Sequence, residues 1–372
     1  MDAPSATRLE KTSALTHPHT RTAGAIIIAP RPRSPCYRRC FMTSRLVLFR
    51  RVALAGVLLA LLVVVLGAWV RLSTAGLGCP DWPGCYGHLT AGSAAENMDA
   101  VNQAFPHRPF EYHKAIKEMV HRYFASGLGL LILVLAGMAI ANRKDPQQPV
   151  VLPIALVALV IFQGLLGMWT VTLLLKPLIV VLHLIGGLST LSLLAWLAIR
   201  PREPAERSAP ANDGLRKLAT VGLAVLALQI MLGGWTSSNY AALACPDFPT
   251  CQNSYWPHMD VKDAFVLWRG LGIDYEGGVL DHPARVAIHF VHRLGAIAAA
   301  IILGVLSLLA WRRGATPAVR TGGALLGLVL IAQLILGPVM VMRALPLLLA
   351  TAHNGVAALL LLATVRMYRL LR

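Results

Sequence analysis

Charge is scarce in this chain: 14% of its 372 residues are charged, and only 17 of those are acids. The sequence also lacks a P-loop, a glycine-rich phosphate cradle and any basic patch interleaved with aromatics. Those absences exclude nucleotide and nucleic-acid binding as the reason for the formal charge of +17. Ten of the 34 bases and two acids precede residue 52, so that end alone supplies +8. Cysteine is sparse as well, with six residues, of which Cys36 and Cys40 match nothing elsewhere in the chain. What is abundant is apolar: 56% of residues are hydrophobic and the mean hydropathy is +0.62, the composition of a polytopic membrane protein whose partner is lipid.

Apolar runs long enough to cross about 30 Å of hydrocarbon lie at 52 to 71, 115 to 141, 151 to 171, 177 to 199, 216 to 238, 285 to 311, 319 to 341 and 344 to 365. The alternate loops and the tail, at residues 142 to 150, 200 to 217, 312 to 320 and 366 to 372, carry thirteen bases against four acids. The two long loops, 72 to 114 and 239 to 284, reverse the bias with ten acids against four bases. The positive-inside rule therefore predicts cytoplasmic termini and external long loops. Trp69, Trp169 and Trp235 fall at outer helix ends, and Trp196 and Trp311 at inner ends, as an aromatic belt would place them.

The eight spans are two copies of one four-span unit. Cys79 pairs with Cys245 and Cys85 with Cys251 at an offset of 166; His121 pairs with His292 at 171; Gln163 with Gln333 and His183 with His353 at 170. An even number of spans per copy gives both the same orientation, so the expected fold is all-α, two tandem four-helix bundles about a pseudo-two-fold axis along the membrane normal. The expected divisions are an N-terminal extension at 1 to 44, modules at 45 to 200 and 216 to 372, and a cytoplasmic linker at 201 to 215. The extension is rich in proline and arginine and reads as disordered or as a transit peptide, with Met42 the preferred start.

Each copy places one histidine early in its second span and another early in its fourth, 62 residues apart in the first copy and 61 in the second. The predicted span starts put all four imidazoles at similar depth on helices running outside to inside. Two imidazoles facing each other across a bundle can supply both axial ligands of a haem iron. Zinc or copper would need further ligands beside each pair. The copies differ three positions before the first histidine, where Glu118 stands opposite His289. Glu118 is the one acid in the predicted spans, and intramembrane carboxylates are costly and usually functional. The plainer alternative is a carboxylate that pairs with Lys114, Lys117 or Arg122 near the interface.

The external loops carry Cys79-Pro-Asp-Trp-Pro-Gly-Cys85 and Cys245-Pro-Asp-Phe-Pro-Thr-Cys251. On an oxidising face such pairs read as disulfides; a metal site with His88 or His258, or reactive thiols, are the other readings.

Together, Glu118-x-x-His121-Arg122, His292-Arg293, His183, His353 and the two Cys-Pro-Asp-x-Pro-x-Cys loops resemble the haem A synthase family over roughly residues 45 to 366. The cysteine pair in both loops is similar to the bacterial branch, which implies the bacterial inner membrane. The resemblance implies a membrane oxidoreductase that oxidises a methyl of haem O to the formyl of haem A through successive hydroxylations. It further implies haem b on His292 and His353, substrate haem O on His121 and His183 beside catalytic Glu118, and electrons leaving through haem b. The implied partners are the enzyme that makes haem O, a terminal oxidase or its assembly factors, and an unnamed electron acceptor; homo-oligomerisation is left open. Six-residue separations predict disulfides within each loop, Cys79 to Cys85 and Cys245 to Cys251. A di-haem b-type electron carrier or quinol oxidoreductase would use the same four histidines, and a transporter could use the same duplication.

Overall fold

A computed structural model describes residues 44–199 and 213–372, so the N-terminal extension and most of the linker lie outside the described residues. Among the described residues eight helices are long and apolar enough to cross a membrane, and no strands form beyond isolated bridges. In the first copy these are α1 (Ser44–Leu72), α4 (Tyr112–Ala141), α5 (Val151–Thr172) and α6 (Pro177–Ala198). In the second they are α7 (Asp213–Ser238), α9 (His282–Arg313), α10 (Pro317–Met342) and α11 (Leu347–Leu371). Short helices α2 (Ala91–Glu96) and α3 (Met98–Ala104) lie in the first long loop and α8 (Val261–Ala264) in the second.

Within each copy the four long helices close into a ring: α1 touches α4, α4 touches α5, α5 touches α6 and α6 returns to α1; α7, α9, α10 and α11 do the same. The copies meet through their first and last helices, α1 on α11 and α6 on α7, with α6 also on α11. This pattern maps onto itself when the copies are exchanged. The duplication is written in the backbone too, because left-handed residues recur at the same offsets: Thr74 with Tyr240, Tyr86 with Gln252, and the Leu174–Leu175 pair with Ala344–Leu345. A side chain at positive φ is unfavourable outside tight turns, so its repetition marks a shared loop design.

Four expectations need correction. The first span starts at Ser44 rather than 52, and the last runs to Leu371 rather than 365. The fourth span of the second copy starts at Leu347 rather than 344, because the left-handed Ala344 and Leu345 cannot belong to a right-handed helix. Helices α4 and α9 are longer than predicted, at 30 and 32 residues. At 1.5 Å per residue they reach about 45 Å and about 48 Å, well beyond the hydrocarbon. Their histidines therefore sit nine and ten residues from the helix starts, against six for His183 and His353. Lastly, Trp235 is not a lipid-facing belt residue: it is buried, and its indole N–H donates to the Ala264 carbonyl of the second long loop at 2.9 Å.

The loop cysteines pair locally, with Sγ to Sγ distances of 2.04 Å for Cys79 and Cys85 and 1.89 Å for Cys245 and Cys251. All four are buried. Among the described residues no cluster of three or more histidines, cysteines or acids is arranged to hold a metal ion, so His88 and His258 join no cysteine site. Non-reducing peptide mapping should recover Cys79 linked to Cys85 and Cys245 to Cys251; recovery of all four as free thiols would remove both bonds.

Candidate functional site

The four intramembrane histidines share a seat that the sequence alone does not display. Each ring lies over a glycine of the preceding long helix: His121 over Gly67, His183 over Gly167, His292 over Gly233 and His353 over Gly337. A methyl added to those glycines would meet the imidazole Cε1 at 3.0, 3.6, 3.1 and 3.4 Å respectively. At the two tightest, Gly67 and Gly233, any larger residue would push the ring away. The signal was available in principle, because the seats recur at the repeat offsets, 166 for Gly67 and Gly233 and 170 for Gly167 and Gly337.

The rings also lie in electrostatic reach of one another within each copy, His183 of His121 and His353 of His292. Nδ1 of His121, His183 and His353 is buried without a hydrogen-bond partner, an arrangement that is costly for a polar atom. In the second copy two glutamines supply polar contacts. Gln229 Nε2 lies 3.1 Å from His292 Nδ1 and 3.1 Å from the His292 carbonyl, and Gln333 Nε2 lies 3.1 Å from His353 Nε2. The first-copy counterpart of Gln229 is Val63, so only the second copy fixes the ring of its first histidine this way.

Immediately outside these rings each copy carries a latch between helix and disulfide loop. In the first, one Glu118 oxygen pairs with Arg122 at 2.6 Å and the other accepts the Cys79 N–H at 2.9 Å. Arg122 then donates to the carbonyls of Asp81, Pro83 and Gly84. In the second, His289 Nδ1 lies 3.3 Å from the Cys245 nitrogen and His289 Nε2 lies 3.3 Å from Arg293 Nε, and a neutral imidazole accepts from only one of these two N–H groups. Arg293 donates to the carbonyls of Thr250, Cys245 and Asp247 at 2.7, 2.7 and 2.9 Å. The roles of His289, Arg122 and Arg293 were not readable from the sequence, because each depends on which loop carbonyls fold onto the helix. Glu118 and His289 are both buried, at 5% and 4% exposed, and do the same structural job with opposite chemistry.

Each loop is shaped internally by an aspartate. Asp81 accepts the N–H groups of Tyr86 and Gly87 at 2.6 and 2.7 Å. Asp247 accepts those of Gln252 and Asn253 at 2.8 and 3.0 Å and the Thr250 hydroxyl. That hydroxyl, with the two N–H groups, holds the Asp247 carboxyl below the usual carboxylate range.

Two imidazoles per copy, each on a glycine seat and with no carboxylate or thiolate completing a metal cage, fit a haem iron taken from both faces better than a tetrahedral ion. Arg293→Met should free the second loop. A charge-assisted hydrogen bond contributes roughly 1.5–3 kcal/mol, so reduction of the Cys245 bond by mild thiol should quicken about tenfold or more while the Cys79 bond keeps its rate. Equal rates at both loops would contradict the latch.

The profile of the COX15-CtaA family, described as cytochrome oxidase assembly proteins, matches residues 50–365. A protein of Shewanella oneidensis named heme A synthase is 47% identical over 309 residues, covering 82% of this chain and 91% of that protein. Proteins of the same name from Granulibacter bethesdensis and Rhizorhabdus wittichii are 26% identical over 323 residues and 28% over 357 residues; the first alignment covers 82% of each chain, the second 90% of this chain and 95% of the relative. With a family match spanning nearly all of the described residues, this chain belongs to the COX15-CtaA cytochrome oxidase assembly family.

Proposed function

We propose that the chain is a haem A synthase, a membrane oxidoreductase that converts haem O to haem A for a terminal oxidase. The observation that carries this reading is the alignment with the Shewanella oneidensis heme A synthase across 82% of the chain, joined to a duplicated pair of glycine-seated histidines. His292 and His353 hold a haem b, and His121 and His183 receive haem O. The second pair suits a resident group because Gln229, which has no glutamine counterpart in the first copy, gives the ring of His292 a polar contact that orients a ligand. The first pair, with Val63 in place of Gln229, suits a group that must leave.

Converting a methyl to a formyl group with oxygen taken from water releases four electrons and four protons. When bound, haem b supplies a route by which those electrons reach an acceptor. The chain itself supplies placement and proton handling. The histidine rings hold the porphyrin between helices, the external loops close over the outer ends of α4 and α9, and Glu118 handles protons at the first pair. Support for Glu118 comes from the second copy: His289 fastens its loop without a carboxylate, so the fastening does not require one. The ion pair with Arg122 was the alternative reading of Glu118; the carboxylate takes part in it and also carries an acidity that the latch does not need. The external loops face the periplasm, the termini the cytoplasm of a bacterial inner membrane, as the basic loops favour. The enzyme that makes haem O lies upstream and the terminal oxidase downstream.

Two outcomes follow. Glu118→His imports the second-copy latch and Glu118→Gln keeps the shape. Both should retain the Cys79 bond and the haem b content while haem A formation falls by about 10²-fold or more, the typical contribution of a positioned acid–base group. Wild-type haem A formation in Glu118→His would reduce Glu118 to a fastening. His353→Ala should remove haem B and abolish turnover, and a wild-type haem B content in that variant would sink the assignment of the second pair.

A further inference from the structure

The second external loop does not stay over its own copy. Its stretch from 266 to 276 crosses to the turn between α5 and α6 of the first copy. The Tyr275 N–H donates to the Leu174 carbonyl at 3.1 Å. Arg108 of the first external loop pairs with Asp274 and Glu276, each at 2.7 Å. Tyr275 and Ile273 pack against Leu77, Val171, Leu174 and Leu175. At the centre is Lys176, only 2% exposed, whose ammonium lies 3.5 Å from the centroid of the Trp268 ring and donates to the Gly270 carbonyl. Gly270 presents that carbonyl from a backbone at φ +74°, a conformation that suits glycine.

Lys176 is the residue before Pro177, where α6 begins, and His183 follows two turns into the helix. A lysine buried at that point, satisfied by an aromatic face and a carbonyl from the other copy, fixes the start of the helix that carries the ring. The second copy shows what the turn looks like without such cover. It repeats the left-handed pair at Ala344 and Leu345, but proline replaces the lysine at 346, and Ala344 and Pro346 are exposed. Met342 and Leu348 beside them are 55% and 80% exposed. Among the described residues no stretch of the first long loop crosses to cover it. The crossing is therefore one-directional, and it serves the first copy.

We propose that Lys176 is a positioning residue, and that residues 266 to 276 are a strap by which the second copy completes the first copy's histidine pair by holding α6, and with it His183, in place. This rests on the preceding assignment of haem O to His121 and His183.

The test uses the purified full-length protein as Lys176→Met, which keeps length and apolar contact, and Lys176→Arg, which keeps the cation and its stacking on Trp268. Tryptic cleavage after Arg269, inside the strap, reads the strap without any haem. The absorption and paramagnetic resonance signatures of haem O bound to the protein and of resident haem B read the two histidine pairs separately. Lys176→Met should be cut about tenfold faster, the factor expected from losing one charge-assisted hydrogen bond. It should also lose or shift the haem O signature and leave that of haem B unchanged, and Lys176→Arg should restore both. Arg108→Gln, which frees only the ionic end, should give the same cleavage effect in smaller degree. Unchanged cleavage overturns the strap. Faster cleavage with an unchanged haem O signature overturns the positioning role, and so does an equal disturbance of both haem signatures. If the wild-type protein takes no haem O, the assignment of the first pair has failed, and the cleavage rates still decide whether the strap is held by Lys176.

Discussion

A flat imidazole held between two membrane helices needs room beside it, and this chain sets a glycine against the ring four times, at two of which a methyl would be too close. The glycine beneath each ring lets the histidine lie against the neighbouring helix instead of turning to lipid, and at Gly67 and Gly233 even a methyl would be in conflict with the ring. Hydrocarbon gives no water to satisfy the ring nitrogens, so the rest of the structure follows from how each copy treats them. The closed four-helix rings bring α4 beside α1 and α6 beside α5, and α9 beside α7 and α11 beside α10, so that each seat and its histidine meet. The same helices run past the hydrocarbon to carry the latches that hold the disulfide loops.

Duplication explains the frame, and the departures from it carry the chemistry. Glu118 against His289, Val63 against Gln229 and Lys176 against Pro346 are three places where equivalent backbone holds different side chains. The first changes the acidity beside a histidine pair while preserving its links to the loop cysteine and arginine. The second alters the polar support of the ring, and the third decides which copy's turn is covered. A symmetric scaffold thus holds two histidine pairs with unlike surroundings, the difference on which the proposed assignment of a resident and a substrate haem rests.

Much of this was legible in the sequence, for reasons that differ by element. The spans could be read because roughly twenty apolar residues are needed to cross a bilayer and little else produces such runs. The histidine pairs could be read because repetition at a fixed offset raises single, ambiguous residues to a pattern. The helix ends of α4 and α9 could not be read from hydropathy, since their outer turns are polar and extend beyond the apolar runs. The glycine seats were hidden among 31 glycines, where absence of a side chain gives no local signal. Trp235 was misplaced because its position along the helix gives depth, whereas burial under the second loop depends on Ala264, 29 residues away. The strap had no echo in the first copy, and a repeat cannot reveal what it does not repeat.

The unlike character of the two histidine pairs is the central claim, and pyridine haemochrome analysis of the purified wild-type protein tests it most directly. Unlike sites require haem B together with haem O or haem A in the same preparation, with haem B surviving when haem O supply is withdrawn. Two haem B groups per chain with neither haem O nor haem A would contradict it and make the protein a di-haem electron carrier.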